Sequence, residues 1–287
     1  MTSAKKRLNR ILFTYINSLE DLAFLNDELL KKPFVGVDTE FRRTNKDNMR
    51  LALLQVNDGE EIYLIDTVLI NDPGDACNFL FSESVVKIFH SCKEDVEAIY
   101  SWTGQLITNL FDTQLAEAFL NGEYSIGYQG LVEKKLSVII DKGETRSNWI
   151  RRPLTDSQLK YAVSDVEFLI LLFEDQYQAL LECKKLKWHK EEVEFLIANA
   201  FSSPIKEQTN IEITKKEENN LLNKFNEIVT DIAETEKVNP TLLFSKKNQK
   251  EFIRLALSRG PEEALNNLTS WRRELFRDPF DKVLLNY

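Results

Sequence analysis

The order of short apolar segments in the first third of the chain constrains its fold more than any other feature. Four such segments, rich in valine, isoleucine, leucine and phenylalanine, lie at 33–41, 51–57, 61–67 and 85–90. Runs of this length and composition are typical of buried strands. Asp58 and Gly59, between the second and third segments, predict a hairpin turn. A predicted helix at 93–102 follows the fourth segment, and strands followed by helices predict an α/β sheet domain.

The pattern changes to a helical period after Thr155. Thr155 and Gln158 predict a capping box at the start of a long helix that continues through Ala162, Val166 and Leu169. Helical character extends to about Phe201.

The last part of the chain predicts a separate helical unit. The polar segment 202–216 contains a proline and no periodicity, which predicts a linker. Three short helices are predicted after it, at 221–234, 247–257 and 261–276. We therefore expect an α/β domain over 1–201, a linker over 202–216 and a small all-helical domain over 217–287.

Composition excludes several classes of protein and of metal site. No apolar run approaches the ~18 residues of a membrane span, and the N-terminal segment lacks the long apolar stretch of a secretory signal. We therefore expect a cytoplasmic protein with no membrane partner. The three cysteines form no CxxC pair and only two histidines are present, which argues against a zinc site or a Ser-His-Asp hydrolase. Metal chemistry in this chain must use carboxylates, which favour Mg²⁺ or Mn²⁺.

The net charge of −9 counts against nucleic-acid binding. Metal ions neutralise carboxylates that cluster around them, however, and binding depends on local charge rather than on the total. One locally basic region is 246–277, where eight Lys or Arg residues and four Glu residues give a net charge of +4.

Asp38 and Glu40 form the first candidate site. Side chains two residues apart on a strand point to the same face of the sheet, so both carboxylates could reach one group of ions. They follow apolar residues, at the end of a buried strand, where α/β sheets bind ligands. The alternative is a strand that ends in a polar turn, and the Asp-x-Glu pattern alone favours this alternative.

Two further carboxylates belong to predicted helices. Asp95 lies in a first helical turn, where an acidic residue often only complements the helix dipole. Tyr161 and Asp165 are four residues apart and share one helix face, although Asp165 could equally face solvent. Taken together, the carboxylates fit hydrolysis of a phosphodiester by two metal ions.

Three motifs resemble those of a known family. They are Asp38-Thr39-Glu40-Phe41, the stretch from His90 to Asp95, and the stretch from Tyr161 to Asp165. Their order and spacing resemble the tyrosine-bearing branch of the DEDD exonuclease superfamily, and within it the ribonuclease D family. Further matches are Arg43, Leu53-Leu54-Gln55, Asp112-Thr113 and 147–155. The family often has an aromatic-proline pair where this chain has Asn48-Met49. The resemblance therefore does not define the contacts near the substrate.

The resemblance implies a ribonuclease H-like mixed sheet followed by a helical HRDC-like domain, matched at 239–243 and 268–275. It implies that Asp38, Glu40, Asp95 and Asp165 bind two divalent ions, Mg²⁺ or Mn²⁺, and that Tyr161 orients or deprotonates the attacking water. Thr39 and Phe41 would lie near the terminal nucleotide or serve in packing, and packing is favoured for Thr39.

The implied activity is 3′-5′ hydrolysis of RNA 3′ ends, with tRNA precursors as the expected substrates. A 3′-5′ DNA exonuclease and a non-catalytic nucleic-acid-binding adaptor remain alternatives. His90, Asp112, Trp149 and Trp271 are expected to be structural.

Overall fold

A seven-stranded mixed sheet forms the centre of the molecule. The computed structural model describes residues 5–8, 11–45, 48–140, 143–144, 147–201 and 214–284. The strands are β1 (Lys5–Leu8), β2 (Ile11–Ile16), β3 (Phe34–Asn45), β4 (Asn48–Asn57), β5 (Ile62–Ile65), β6 (Val86–Phe89) and β7 (Leu110–Asp112). Their order across the sheet is β1-β2-β5-β4-β3-β6-β7. The mixed α/β fold class is confirmed.

The predicted strands and the hairpin between them are confirmed. Strand β3 pairs antiparallel with β4 and parallel with β6, so it lies inside the sheet. Strands β4 and β5 are joined by the predicted turn. Gly59 adopts a φ of 89°, and the Asp58 carboxylate accepts hydrogen bonds from the amides of Glu60 and Glu61.

Helices cover both faces of the sheet. In the first two thirds of the chain they are α1 (Leu19–Leu29), α2 (Lys93–Thr103), α3 (Thr113–Asn121), α4 (Tyr128–Leu136), α5 (Asp156–Glu167), α6 (Leu169–Glu182) and α7 (Leu186–Ala198), with a 3-10 helix at Gly74–Phe81. Helices α5 and α6 contact β3 on one face, where Leu53 and Leu64 join the apolar core. On the other face, Leu22 and Leu25 of α1 and Val96 of α2 pack with Val35 and Val37.

The predicted long helix after Thr155 is interrupted. The capping box of Thr155 and Gln158 is present, but α5 ends at Glu167 and α6 begins at Leu169. The Asn57 amide group donates hydrogen bonds to the carbonyls of Val166 and Glu167 at 3.0 and 3.3 Å. These carbonyls are therefore satisfied from β4, which allows the helix to end there.

The C-terminal region is helical, as predicted. Its helices are α8 (Lys215–Glu236), α9 (Pro240–Leu243), α10 (Lys246–Arg259), α11 (Pro261–Asn266) and α12 (Ser270–Leu284). The prediction of one helix over 261–276 was wrong, because α11 ends at Asn266 and α12 starts at Ser270. The Ser270 hydroxyl instead donates a hydrogen bond to Glu191 of α7. No helix within the described ranges is long and apolar enough to cross a membrane.

The helical region packs closely on α7. The rings of Trp188 and Trp271 stack with centroids 5.1 Å apart, and Trp271 is buried, as expected. Arg272 makes a bidentate ion pair with Glu192. The Lys185 ammonium donates hydrogen bonds to carbonyls at the ends of α3 and α8. The predicted linker at 202–216 lies mostly outside the described residues, and the division into two domains stays a prediction.

We expect Gly36→Ala to destabilise the protein by about 1–3 kcal/mol, the usual cost of overfilling a packed contact. A Cβ at Gly36 would lie 3.1 Å from the Cβ of Leu169, at the start of α6. Gly130→Ala in α4 is the control, since its added Cβ would meet Ile126 at an ordinary 3.5 Å. Alanine should stabilise that helix by about 0.5–1 kcal/mol. Urea unfolding of both variants tests this, and equal midpoints would contradict it.

Candidate active site

Strand β3 places Asp38 and Glu40 on the face of the sheet that α5 covers. Phe34 and Gly36 precede them on the same face, and Gly36 allows α6 to approach closely. Both carboxylates are partly buried. As predicted from their spacing, their oxygens lie near each other, and with an oxygen of Asp165 they form a group within 4.8 Å. Three carboxylates, two from a strand and one from a helix, therefore converge at one site.

Helix α5 supplies Asp165 and Tyr161. Ala162, Val163 and Val166 bury its inner face, which fixes its rotation over the sheet. Tyr161 hydrogen-bonds Asp165, which lowers the pKa of that carboxyl against the larger upward effect of burial. The Tyr161 ring packs against buried Trp149 at a centroid distance of 6.0 Å. The phenol is thus held beside the three-carboxylate group.

Asp95 reaches the site from the opposite face. It lies on α2, is 7% exposed and falls outside the group of three. Its carboxylate accepts a hydrogen bond of 2.5 Å from the Thr39 hydroxyl. The charge of Asp95 nevertheless contributes to raising the pKa of Asp38, so the two carboxyls are close enough to interact.

Thr39 and Phe41 do not share the face of Asp38 and Glu40. Thr39 is 6% exposed and its hydroxyl is engaged with Asp95. Phe41 is partly buried and packs against the core under α1 and α2. The structure therefore gives packing or positioning contacts to both side chains, and a contact with the terminal nucleotide stays a prediction.

The four carboxyls resist ionisation in the absence of a cation. Burial raises the pKa of Asp38 well above its usual range, and repulsion from Asp95, Asp165 and Glu40 adds to this. Burial and the charges of Asp165 and Asp95 raise the pKa of Glu40 to about 9. Burial raises the pKa of Asp95 and of Asp165 to about 7 each.

A divalent cation would reverse this effect by stabilising the charged forms. The oxygen-only ligand set suits Mg²⁺ or Mn²⁺ and does not suit soft metals. The residues present therefore fit the ions that the sequence implied.

Asp112 fixes the start of α2 and thus the position of Asp95. Its carboxylate accepts hydrogen bonds from the amides of Ser91 and Cys92, and it also caps α3 through the amides of Gln114 and Leu115. His90 is held in the same region by Thr113 at 2.9 Å and the Ile126 carbonyl at 3.0 Å. Both residues have the structural contacts expected of them.

The sequence did not reveal an ion pair that supports Trp149. Arg152 donates hydrogen bonds to buried Asp66 at 2.5 and 2.7 Å, and to the carbonyls of Trp149 and Ala52. Asp66 also accepts a hydrogen bond from the Tyr15 hydroxyl. This network anchors the segment that packs under Tyr161. Arg152 belongs to the matched segment 147–155, but Asp66 is 86 residues away in sequence, so the sequence alone did not indicate that the two residues pair.

Gln55 is a second feature to which the sequence assigned no role. It lies opposite Asp38 on β4, is fully buried, and neither polar atom of its amide has a hydrogen-bond partner among the described residues. A buried amide without a hydrogen-bond partner destabilises a protein by about 1–3 kcal/mol, so such groups are rare at positions that serve only in packing. Gln55 therefore belongs to the surroundings of the carboxylate group.

The sequence is similar to those of curated proteins named ribonuclease D. Ribonuclease D of Pseudomonas paraeruginosa is 40% identical over 168 residues, which are 58% of this chain and 44% of that protein. The chain spans about half the length of the curated relatives it matches.

Two solved structures share the fold. Escherichia coli RNase D, described as an exoribonuclease involved in structured RNA processing, aligns with a TM-score of 0.64 at 24% identity and covers 95% of this chain and 73% of its own. Brucella melitensis NrnC with bound Mg²⁺ aligns with a TM-score of 0.55 at 24% identity, over 64% of this chain and 94% of its own.

The family model for 3′-5′ exonucleases matches residues 13–177. This range includes β3, α2 and α5, the three elements that bring the carboxylates and Tyr161 together. Since the match extends over more than half of the sequence, the chain belongs to the 3′-5′ exonuclease family.

Proposed function

We propose that the protein is a 3′-5′ exoribonuclease that acts on RNA 3′ ends, releases 5′-mononucleotides and uses two divalent ions, Mg²⁺ or Mn²⁺. The observation that carries the proposal is the group of Asp38, Glu40 and Asp165, whose carboxylate oxygens lie within 4.8 Å of one another. Membership of the 3′-5′ exonuclease family supports it.

Each residue of the site has a distinct part in the proposed reaction. Asp38, Glu40 and Asp165 would hold the ions, and Asp95 would complete the ligand set from the other face of the sheet. Bound ions would activate the attacking water and stabilise the departing 3′-oxygen. Thr39 positions the Asp95 carboxylate through its hydrogen bond. Tyr161, fixed by Asp165 and by Trp149, would hold the attacking water in line with the scissile bond.

The natural substrate and the cellular location belong to the same proposal. Relatives named ribonuclease D favour RNA over DNA, and tRNA precursors are the substrates that we propose. A 3′-5′ DNA exonuclease would use the same carboxylates and is the main alternative. A non-catalytic adaptor is disfavoured, because all four carboxylates and the tyrosine are present. The cytoplasmic location stays a prediction.

The activity is tested with matched single-stranded RNA and DNA carrying a 5′ label. With Mg²⁺ we expect the RNA to shorten stepwise from its 3′ end and to release 5′-mononucleotides, and we expect EDTA to abolish the reaction. Internal cleavage, or activity that survives EDTA, would contradict the proposal. Faster degradation of the DNA would favour the alternative.

Metal binding is expected to change the pH dependence of stability. Glu40 has a folded-state pKa of about 9, above its ordinary 4.5, so the metal-free protein should lose stability as the pH rises from about 4.5 through 9. Glu40→Gln should make the metal-free melting temperature less dependent on pH. Mg²⁺ should raise the melting temperature of the wild type more than that of the variant.

The control for this measurement is Glu174→Gln, which changes an exposed carboxylate on α6. It should follow the wild type with and without Mg²⁺. If the melting temperature of metal-free Glu40→Gln falls with rising pH as steeply as that of the wild type, the expected repulsion at Glu40 is contradicted.

Tyr161→Phe should lower kcat by about 10²–10⁴-fold, the usual cost of losing a group that positions or transfers a proton. The ring would still pack against Trp149, so the fold and the Mn²⁺ affinity should be retained. Asp165→Ala should lose both activity and Mn²⁺ affinity. Single-turnover kinetics and Mn²⁺ titration of the two variants separate these effects. A wild-type kcat for Tyr161→Phe would remove the phenol from the mechanism.

A further inference from the structure

Strands β3 and β4 continue past the carboxylates as a hairpin that carries two opposed arginines. Arg42 lies two residues beyond Glu40 and is paired in register with Arg50 of β4. Side chains alternate along a strand, so Arg42 lies on the same face as Asp38 and Glu40. Directly paired residues share a face, so Arg50 lies there too. The register irregularity between Glu40 and Phe41 takes its extra residue from β4 and leaves this alternation on β3 intact.

Both arginine side chains are exposed, and neither guanidinium group has a hydrogen bond or ion pair with any residue that the structure describes. Like charges directly opposite each other on paired strands are destabilising, because their Cβ atoms are only about 4.5–5.5 Å apart. An anion between them would convert this repulsion into attraction. Without a bound anion, the hairpin therefore carries two positive charges that repel each other, and these charges lie beside the carboxylates of the candidate active site.

The neighbouring Arg43 shows the contrast. Its guanidinium forms an ion pair of 2.7 Å with Glu97 of α2 and lies 3.4 Å from Glu94. It points to the opposite face, where it fastens the hairpin to α2. Of the three arginines, Arg43 thus has a structural role, whereas no described residue engages the guanidinium groups of Arg42 and Arg50, which could therefore bind a ligand.

The position of the pair identifies the ligand. Arg42 is about 6.6 Å from Glu40 along the strand, since each residue advances the chain by about 3.3 Å. The carboxylates are where the scissile phosphate must lie in the proposed reaction. The guanidinium is planar and its forked donors match phosphate oxygens, so a neighbouring phosphate is the chemically matched ligand. An overall charge of −9 makes such a local contact necessary for holding a polyanion.

We propose that Arg42 and Arg50 together bind the second phosphodiester from the 3′ end of the substrate. This inference rests on the proposed exonuclease function. The terminal nucleotide ends in a 3′-hydroxyl, so the scissile phosphodiester is its sole internucleotide linkage. A second phosphate near the site must therefore belong to the nucleotide on the 5′ side. The arginines would act in substrate binding and would leave the reacting atoms to the carboxylates and Tyr161.

The experiment compares the shortest substrates that differ in this phosphate. A dinucleoside monophosphate has only the scissile phosphodiester, whereas a trinucleoside diphosphate also has the second one. For the wild type, the ratio of kcat/KM on the trimer to that on the dimer measures the contribution of the second phosphate. Arg42→Gln and Arg50→Gln should each reduce this ratio about tenfold, as expected for loss of a charge-assisted hydrogen bond. The reduction should be mainly an increase in KM for the trimer.

Salt dependence gives an independent readout. The slope of log KM against log salt for the trimer should become shallower by about 0.7 for each lost contact with a single strand. Arg42→Lys keeps the charge and should recover part of the ratio. The control is Lys31→Gln, because Lys31 is exposed and precedes Phe34, the first residue of β3, which lies about 26 Å from Arg42 along the strand. It should leave the ratio at the wild-type value.

The outcomes separate this inference from the proposed function. If the wild type hydrolyses neither substrate, the exonuclease function fails. If the wild type hydrolyses both and the arginine variants keep its trimer-to-dimer ratio, the phosphate site is wrong while the function stands. An equal loss on both substrates would place the arginines at the scissile phosphate and would also overturn the inference. A loss confined to the trimer supports it.

Discussion

The fold must hold several partly buried carboxylates close together although they repel one another, and this is the main constraint on the structure. Asp38, Glu40 and Asp165 are held within 4.8 Å although each raises the free energy of the others in the charged form. The scaffold holds them by fixing β3 inside the sheet and by anchoring α5 at both ends. The capping box fixes its start, and Asn57 binds the carbonyls at its end. The protein therefore loses stability at this site, and the same preorganised carboxylates are the ones that would hold the ions in the proposed function.

Local features of the fold could be predicted from the sequence because their causes are local. The four buried strands, the turn at Asp58 and Gly59, and the capping box at Thr155 each depend on residues that are close in the chain. The meeting of Asp38 with Glu40 follows from strand alternation. By contrast, the break between α5 and α6 depends on Asn57, 109 residues before Val166. The hydrogen bond from Thr39 to Asp95 joins residues 56 apart in sequence, and the ion pair of Arg152 with Asp66 joins residues 86 apart, so no pattern of neighbours indicates them.

Counting charges along the chain was a poor guide to the surface of the helical region. The segment 246–277 has a net charge of +4, but several of its basic groups have acidic partners. Arg254 and Lys250 pair with Glu218 of α8, and Arg272 pairs with Glu192 of α7. Both acidic partners lie outside the counted segment. In contrast, the sequence around Arg42 and Arg50 gives no hint of their alignment, which arises only from the register of the hairpin.

The packing of the helical region on α7 has a consequence for how the chain holds together. Trp271 contacts both Trp188 and Phe119, and all of the helices from α8 to α12 contribute to the same apolar core as the strands. Lys185 and Arg272 add polar ties across this contact. The covalent connection between α7 and α8 is therefore not what joins the two parts. A protease cut between these helices would produce two fragments that remain assembled as a non-covalent complex, as long as the apolar contact stays closed.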